Sequence, residues 1–341
     1  MATTIAPTRR GFLGLKDRRA RSEALNAYLF IGPYLLVTLV FTIGVIIFAI
    51  YISFNKFDLF TPPSWVGLDN YTRAFSSPTF LKSLANVFWY VLIVVPTQTF
   101  IALLLAALIN VKVRGSRLFR TIFYSPSVAS AVVISLIFWW LFLKPGFLNY
   151  FIAQAFSAFG GTWQAIEWLN TPRGIFQLIA GTVGIDIPSS LYVLRGPSVT
   201  WLAIMLMNIF TTAPTFMILF LAALQDIPPS LYEAASIDGA TKRQQFWKMT
   251  VPMLRPAILL VVVLGTIGCF QIFDQVKIMT AGGPLDTTMV PVYLIYTEAL
   301  GVNAPPRMGF AAAMAFILAL IIFIFTLIQR RFIERGTELY Y

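Results

Sequence analysis

Long uncharged, apolar runs alternate with short charged segments along most of this chain. A membrane-spanning helix needs about 20 apolar residues, and six runs are long enough. The predicted spans cover residues 27–54, 84–110, 121–143, 199–224, 257–277 and 308–329. The fifth uncharged run ends at Asp274, and we place that charge near a membrane face. The pattern predicts an all-α polytopic membrane protein with six transmembrane helices.

A seventh uncharged run, residues 145–166, has a different pattern. It opens with a Pro-Gly pair, contains a Gly-Gly pair and places three phenylalanines on one helical stripe. This pattern is typical of a helix that lies in the membrane interface rather than one that spans the bilayer. The run belongs to a predicted external insertion, residues 144–198. The later part, 171–198, reads as a small folded unit with strand-like and turn-like parts.

Composition supports a lipid environment. Hydrophobic residues make up 58% of the chain and charged residues 11%, and the mean hydropathy of +0.78 is too high for a soluble domain of this length. The net charge of +11 could indicate nucleic acid, but 17 of the 25 Lys and Arg residues fall on one side of the six-span topology. Basic residues mark the cytoplasmic side. We therefore predict no nucleic-acid partner and cytoplasmic termini, with a basic segment 1–26 and a tail 336–341. The first span is too long for a signal peptide and lacks a small-residue cleavage site, so we expect it to be retained.

Several kinds of chemistry have no residues to support them. The chain has no histidine and one cysteine, Cys269, which excludes His-based catalysis and disulfides and makes a metal site improbable. It also has no Gly-Lys pair, which a phosphate-binding loop of the Walker type requires. The sequence therefore predicts a non-catalytic chain without its own cofactor. If ATP is used, another subunit binds it.

Neutral polar residues occur inside spans that carry no central charge. Four of them, Asn208, Thr211, Thr212 and Thr215, recur at helical spacing on one broad face of the fourth span. Such residues commonly form hydrogen bonds between membrane helices. This cluster is denser than that role requires, and it suits a neutral, hydroxyl-rich solute. The lack of ionisable residues at membrane depth argues against ion-coupled transport.

A charged hairpin, residues 226–256, interrupts the apolar pattern between the fourth and fifth spans. A Pro-Pro pair can begin a helix, and Gly239 can end it. Thr241 followed by Gln244 has the spacing of a capping box, which starts a second short helix. We predict a cytoplasmic helix–turn–helix at this place; an ordinary loop is the alternative.

The hairpin residues follow a characteristic order: Glu-Ala-Ala, Asp-Gly-Ala, a Phe, a Pro after Val251, and a second Pro. These residues are Glu233, Ala234, Ala235, Asp238, Gly239, Ala240, Phe246, Pro252 and Pro256. The order resembles the coupling motif of binding-protein-dependent ABC importer permeases, in which leucine is usual at the position of Val251. Other segments look like sugar-type permeases related to the maltose-system membrane subunits: "PSWVGLDNYTRAF" (63–75), "RLFRTIFYSPSVAS" (117–130), "FLAALQDIPPSLYEAA" (220–235), "FDQVKIMTAGGP" (273–284) and "MGFAAAMAFILALIIF" (308–323). The resemblance covers residues 27–335.

The resemblance implies a type I ABC importer permease fold and a set of partners. A second, homologous permease subunit would complete the translocation path, and two copies of an ABC ATP-binding subunit would bind ATP and Mg. An extracytoplasmic solute-binding protein would deliver a neutral carbohydrate. The hairpin would sit in a groove of the ATPase, with small residues allowing close approach, Glu233 supplying a charge and Phe246 or Trp247 an apolar anchor. The implied coupling residues are Glu233, Ala234, Ala235, Asp238, Gly239, Ala240, Phe246, Trp247 and Pro252.

The resemblance also projects the maltose-type sugar pocket onto two spans. The implied substrate-binding residues are Asn208, Thr211, Thr212, Thr215, Gly265, Gly268, Cys269 and Ile272. The last four are small or apolar where the maltose-type subunit has polar or aromatic residues, so helix packing is an equal alternative for them. The insertion 144–198 is longer than is common in the family. It could contact the binding protein or cover the outer mouth of the permease.

Two other functions fit parts of the pattern. A permease for a glycerophosphodiester or a phosphorylated polyol would want Arg or Lys facing the path, and none lies inside the spans. A membrane-embedded glycosyl or lipid transferase would need a carboxylate pair or a histidine near a membrane face. Asp274 and Lys277 are the only nearby candidates for that chemistry.

Overall fold

The fold is helical almost throughout. The computed structural model describes residues 18–110, 116–188, 191–302 and 304–334. Most of the predicted basic segment 1–26 and all of the predicted tail 336–341 lie outside these ranges. The α-helices are α1 (Arg18–Val37), α2 (Val45–Ser53), α3 (Asp69–Ser76), α4 (Pro78–Asn110), α5 (Ser116–Val128), α6 (Ala131–Leu141), α7 (Phe147–Ala158), α8 (Ile175–Thr182), α9 (Val199–Gln225), α10 (Pro229–Ile237), α11 (Lys242–Gln245), α12 (Val251–Met253), α13 (Arg255–Phe270), α14 (Asp274–Met279), α15 (Pro291–Leu300) and α16 (Met308–Glu334).

Shorter elements join these helices. A π-helical segment, Thr38–Gly44, links α1 to α2, and a second one, Phe246–Thr250, links α11 to α12. Two short strands, β1 (Asn55–Lys56) and β2 (Ser64–Trp65), pair in antiparallel orientation. A single 3-10 turn, Tyr192–Arg195, precedes α9 in the described chain.

Four helices in the described ranges are long and apolar enough to cross a membrane. They are Ser22–Ser53, Pro78–Asn110, Val199–Gln225 and Met308–Ile333. Two bent pairs also pass this test: Leu118–Val128 with Ala131–Leu141, bent by 93°, and Lys242–Met253 with Arg255–Phe270, bent by 65°. Counting each bent pair as one span gives up to six, by length and composition alone.

The structure divides two segments that hydropathy joined into single spans. The predicted third span, 121–143, breaks at Ser130, whose backbone is extended at ψ 135°. In the predicted fifth span, α13 ends at Phe270 and α14 begins at Asp274, next to α6. Only uncharged residues lie within the two breaks, at 129–130 and 271–273, so the uncharged runs carry no signal of the interrupted backbone hydrogen bonds.

The insertion differs from its predicted form. Residues 171–188 and 191–198 contain α8 and the 3-10 turn, and their only β-type contact is an isolated bridge between Gly174 and Ser198. The prediction of strand-like parts is therefore wrong for the described residues. The apolar run of α8 is helical. The prediction failed because, over only eight residues, the 3.6-residue period of a helix is hard to distinguish from the alternation of a strand. α7 forms a helix inside the run predicted to lie in the interface.

The core is built on α4 and α9, which contact each other along their lengths. Trp201 Nε1 donates to the Asn86 carbonyl at 2.8 Å, and the Trp201 ring stacks on Tyr90 with centroids 4.7 Å apart. Further along, Thr212 meets Gln98. Residue numbers rise together on both helices, so they run parallel. The first long helix is the opposite case: only 6% of its most apolar window is buried, against 56% for α9.

Candidate functional site

The charged hairpin forms two short helices whose ends are set by local sequence. Pro229 occupies the first turn of α10, where its missing N–H costs nothing. Gly239 follows α10 with φ +78°, a left-handed conformation that glycine adopts without strain. Thr241 Oγ1 accepts from the Gln244 backbone N–H, and the Gln244 side chain accepts from the Thr241 N–H, which confirms the capping box.

Side-chain hydrogen bonds tie the two halves of the hairpin together. The Tyr232 hydroxyl and Thr250 Oγ1 share a hydrogen bond of 2.9 Å, and Gln245 Nε2 donates to Ser236 Oγ at 2.9 Å. Gln245 also donates to the Ala240 carbonyl at 3.2 Å. These bonds join α10 to α11 and to the π-helical segment. The hairpin is therefore a braced unit rather than a plain loop.

One surface of the hairpin is open and carries charged and apolar groups together. Glu233 and Asp238 are exposed, and neither makes an ion pair with the described residues. Ile237 is 87% exposed. This exposure is unusual, because isoleucine is among the residue types most often buried. Sequence reasoning missed Ile237, although a large aliphatic residue at the end of an otherwise small-residue helix was a usable signal. Ala234 is exposed, and Ala235 and Ala240 are half-buried.

The two aromatic residues of the hairpin face different ways. Phe246 packs against a core cluster that includes residues of α4 and α9, whereas Trp247 is 49% exposed. Their rings meet edge to face with centroids 5.2 Å apart. Pro252 is half-buried, and Leu254, at the bend into α13, is 1% exposed. Of the two predicted apolar anchors, Trp247 therefore has an open face, while Phe246 fastens the hairpin to the spans.

A polar cluster lies inside the helical core, where α4, α9 and α13 meet. Thr212 Oγ1 has two close acceptors, Gln98 Oε1 at 2.6 Å and the Asn208 carbonyl at 2.8 Å. Gln98 is 1% exposed and Asn208 7%. Gln98 is a neutral polar residue of the second predicted span to which the sequence analysis assigned no role. A buried amide in a membrane helix must find a partner, which is the signal that pointed to it.

Gly265 on α13 makes room for the Gln98 side chain. A Cβ atom at Gly265 would lie 2.5 Å from Gln98 Nε2, closer than real Cβ contacts. Because Gly265 has no Cβ atom, the Gln98 amide can reach between the three helices. The structure therefore brings together three of the predicted pocket residues, Asn208, Thr212 and Gly265, around a fourth residue that was not predicted.

The remaining predicted pocket residues are distributed over different surroundings. Thr211 Oγ1 bonds backbone carbonyls of its own helix, at 3.0 Å to Asn208. Cys269 and Ile272 lie in the main core cluster. Thr215 and Gly268 are exposed, and a Cβ at Gly268 would meet no atom within 4 Å. The single face predicted for the fourth span is thus divided into a buried part and an exposed part.

An open cleft between α5 and α9 adds hydroxyl groups that sequence reasoning did not assign. Its volume is about 540 Å³, and its lining includes Thr121, Tyr124, Ser125 and Ile218. Tyr124 and Ser125 are exposed. The hydroxyl groups of the cleft can both donate to and accept from the hydroxyls of a solute, and the lining also includes one cation, Arg120.

Comparison with known proteins agrees with these features. The family described as "Binding-protein-dependent transport system inner membrane component" matches residues 23–335. The chain is 33% identical over 316 residues to the probable ABC transporter permease protein YesP of Bacillus subtilis, covering 92% of each chain. It is 30% identical over 312 residues to the lactose transport system permease protein LacF of Rhizobium radiobacter, covering 89% of this chain and 93% of LacF.

The fold also matches a solved structure. A chain of a bacterial ABC transporter involved in the import of the acidic polysaccharide alginate superposes with a TM-score of 0.72, covering 93% of this chain and 98% of that one at 20% identity. This likeness in fold covers nearly the whole chain. With the family match and the identity to YesP, the protein belongs to the inner membrane components of binding-protein-dependent ABC transport systems.

Proposed function

We propose that this chain is one of two permease subunits of an ATP-driven importer and that its hairpin couples an ATPase to the spans. The observation that carries the proposal is the braced, exposed hairpin with the order of residues typical of the coupling motif. In the proposed topology each bent pair is one span, which gives six, and both termini are cytoplasmic. The hairpin then faces the cytoplasm, where an ATP-binding subunit can reach it.

The contacts of the hairpin connect its open surface to the helical spans, so a movement of the hairpin would also move the spans. Ile237, Trp247 and Glu233 offer apolar and charged contacts to a partner. On the opposite side, Phe246 packs on the cluster shared by α4 and α9. Because the hydrogen bonds between Tyr232 and Thr250 and between Ser236 and Gln245 brace the hairpin, it can move as a unit when two ATPase copies close. α13 follows the hairpin directly across a 65° bend, so the movement would pass into the helices that surround the polar cluster.

A second permease subunit would cover surfaces that are open in this chain. The first long helix contacts α16 through α2, but apolar side chains along it such as Phe30, Phe41 and Ile47 are more than half exposed. Lipid covers such a helix on one side, and a homologous subunit covers it on another. The α5–α9 cleft and the exposed Thr215 and Gly268 would face the partner across the path.

The solute is proposed to be a sugar or glycoside. Tyr124, Ser125 and Thr215 are neutral hydrogen-bonding groups on open surfaces, which suit a neutral solute delivered by a binding protein. LacF, a lactose permease by name, supports this class. An anionic solute is the second candidate, since the structural relative imports an acidic polysaccharide. Binding of neutral and acidic oligosaccharides to the cognate solute-binding protein would separate the two classes.

ATP chemistry is assigned to the partner subunits. We propose that this chain holds no ATP and no Mg, because it lacks a phosphate-binding loop. The purified chain should insert into liposomes and show no ATP hydrolysis above the protein-free rate, and hydrolysis should appear when the ATP-binding subunit is added. ATP turnover by the chain alone, with mass spectrometry showing no co-purified ATPase, would contradict the proposed function.

A further inference from the structure

A cationic cleft lies where α9 begins, beside the first turns of α4. Its volume is about 310 Å³, and its charged lining consists of Lys82, Arg173 and Arg195. None of the described residues that line it is a carboxylate. Three like charges on one cleft repel each other, so an anion bound there would be stabilised.

The three cations bond only to neutral groups in the described chain. Lys82 Nζ donates to the Leu285 carbonyl and lies 5.0 Å from the centroid of the Tyr192 ring. Arg195 Nη2 donates to the Ile187 carbonyl at 3.1 Å, while its Nε is buried with no hydrogen-bond partner among the described residues. The Arg173 side chain is exposed and forms no hydrogen bond or ion pair with the described residues.

Three other cations in the predicted external segments have carboxylate partners. These pairs are Arg73 with Asp69, Lys144 with Glu167, and Arg307 with Glu298. The contrast shows that the segments on this side can pair their charges. The three cations of the cleft have no carboxylate partner among the described residues, and the buried Nε of Arg195 is a donor without an acceptor.

The groups next to the cleft leave its positive charge in place at neutral pH. Burial raises the pKa of Tyr192 to about 12, with a smaller lowering from its hydrogen bond to Asn86 and a raising from nearby Asp286. Tyr192 is therefore a neutral phenol, whose hydroxyl donates to Asn86 Oδ1 at 2.6 Å. Neither Asp286 nor Asp186, which precedes Ile187, belongs to the cleft lining.

Apolar and aromatic groups place the cleft at the membrane surface. α8 borders it and exposes Phe176 and Ile179. Trp89 packs edge to face on Phe176 with centroids 5.4 Å apart, and its Nε1 donates to the Val193 carbonyl at 3.1 Å. Tryptophan is enriched at the membrane–water interface, and a short apolar helix beside cations is typical of a segment lying in that interface. Ser198, which caps the membrane helix α9, also lines the cleft.

We propose that this cleft binds the phosphate of an anionic phospholipid head group, with the acyl chains lying along the apolar side of α8. Charge selects the phosphate, and the exposed Phe176 and Ile179 select a ligand with hydrocarbon attached. An acidic side chain of a protein partner or a free anion would satisfy the cations but would leave the apolar side of α8 uncovered. The site is independent of the coupling role of the hairpin, since it lies at the opposite end of α4 and α9.

Native mass spectrometry on the full-length chain in detergent can test the site, with short-chain phosphatidylglycerol and phosphatidylcholine as probes. Phosphatidylglycerol should bind more tightly. Arg173→Gln and Lys82→Gln should each weaken its binding about fivefold, from about 1 kcal/mol per cation near a membrane surface. Arg173→Lys, which keeps the charge, should restore most of the affinity. Arg73→Gln removes an external cation that is already paired and should change nothing.

The outcomes separate the possible occupants. Unchanged phosphatidylglycerol affinity in both Arg173→Gln and Lys82→Gln would overturn the proposal. Displacement of the lipid by inorganic phosphate at equal concentration would assign the cleft to a free anion instead. Loss of solute-binding-protein association in Arg173→Gln, with lipid affinity intact, would assign it to an acidic protein side chain. Because Arg173 is exposed, the protein carrying a substitution there should fold normally. The unfolding temperature of each variant checks this point.

Discussion

The charged hairpin and the polar cluster of the core use polar residues in opposite ways. In the hairpin, bonds such as that between Thr241 and Gln244 join near neighbours and shape a surface that stays open. In the core, Gln98 and Thr212 join residues 114 positions apart and are closed off by packing. The hairpin therefore depends on local geometry and leaves a surface free for the partner that we propose, whereas the cluster depends on helices already in place. The difference teaches that polar residues in this chain have two separate roles, and substitutions should separate them.

The largest effect is expected at the turn of the hairpin. Gly239→Val forces a β-branched residue into a left-handed backbone, which costs about 1–2 kcal/mol and favours a different turn. Because a Cβ there has open space around it, the strain comes from the backbone alone. Labelled-solute uptake should be lost while membrane levels stay normal. Gly239→Asn, which tolerates this conformation, is the matched control and should retain uptake; equal uptake in both variants would contradict a coupling role.

A charge reversal on the open surface should come next. We propose that Glu233 faces a basic residue of the ATP-binding subunit. Glu233→Lys should then weaken association with that subunit, because two cations would face each other. Pull-down of the ATPase and uptake measure the effect together. Lys242→Gln, also exposed on the hairpin, should leave both unchanged. If the two variants behaved alike, the electrostatic part of the coupling proposal would be wrong.

In the core, a single methyl group should distinguish two glycines of α13. Gly265→Ala should lower the stability of the helical core by about 1–3 kcal/mol, as overpacking does, because its Cβ meets Gln98 Nε2 at 2.5 Å. Gly268→Ala should be neutral, since that site is open. Thermal unfolding in detergent compares them. An unfolding temperature equally lowered by both would show that the space around Gly268 is filled in the assembled protein.

The smallest effect concerns two threonines of α9. Thr212→Val removes a hydrogen bond to Gln98 and should cost about 0.6 kcal/mol of stability, the typical value in a membrane core. Thr215→Val should not affect stability, because Thr215 is exposed. If Thr215 contacts solute, its variant should instead raise the KM for uptake. A KM change confined to Thr212→Val would show that the solute contacts the buried Thr212 rather than the exposed Thr215.

Much of the fold was predictable because hydropathy reports what lipid requires. Uncharged runs predicted the long helices α4, α9 and α16, and these agree with their spans within a few residues except at the external start of α4. Local turn chemistry predicted the ends of the hairpin helices at Gly239 and Thr241. The breaks at Ser130 and after Phe270 were not predictable in this way, because no charged residue lies within either of them.

The sequence by itself determined the membrane class, the long helices and the local form of the hairpin, since each depends on residues close together in the chain. Only the tertiary structure decided which polar residues are buried. Helical spacing put Thr212 and Thr215 on one broad face, yet contact with Gln98 makes one structural and leaves the other open. The tertiary structure also decided that Phe246 faces inward and Trp247 outward, and that Lys82, Arg173 and Arg195 share one cleft. These arrangements depend on which helices meet, and partners so far apart in the chain leave no local pattern.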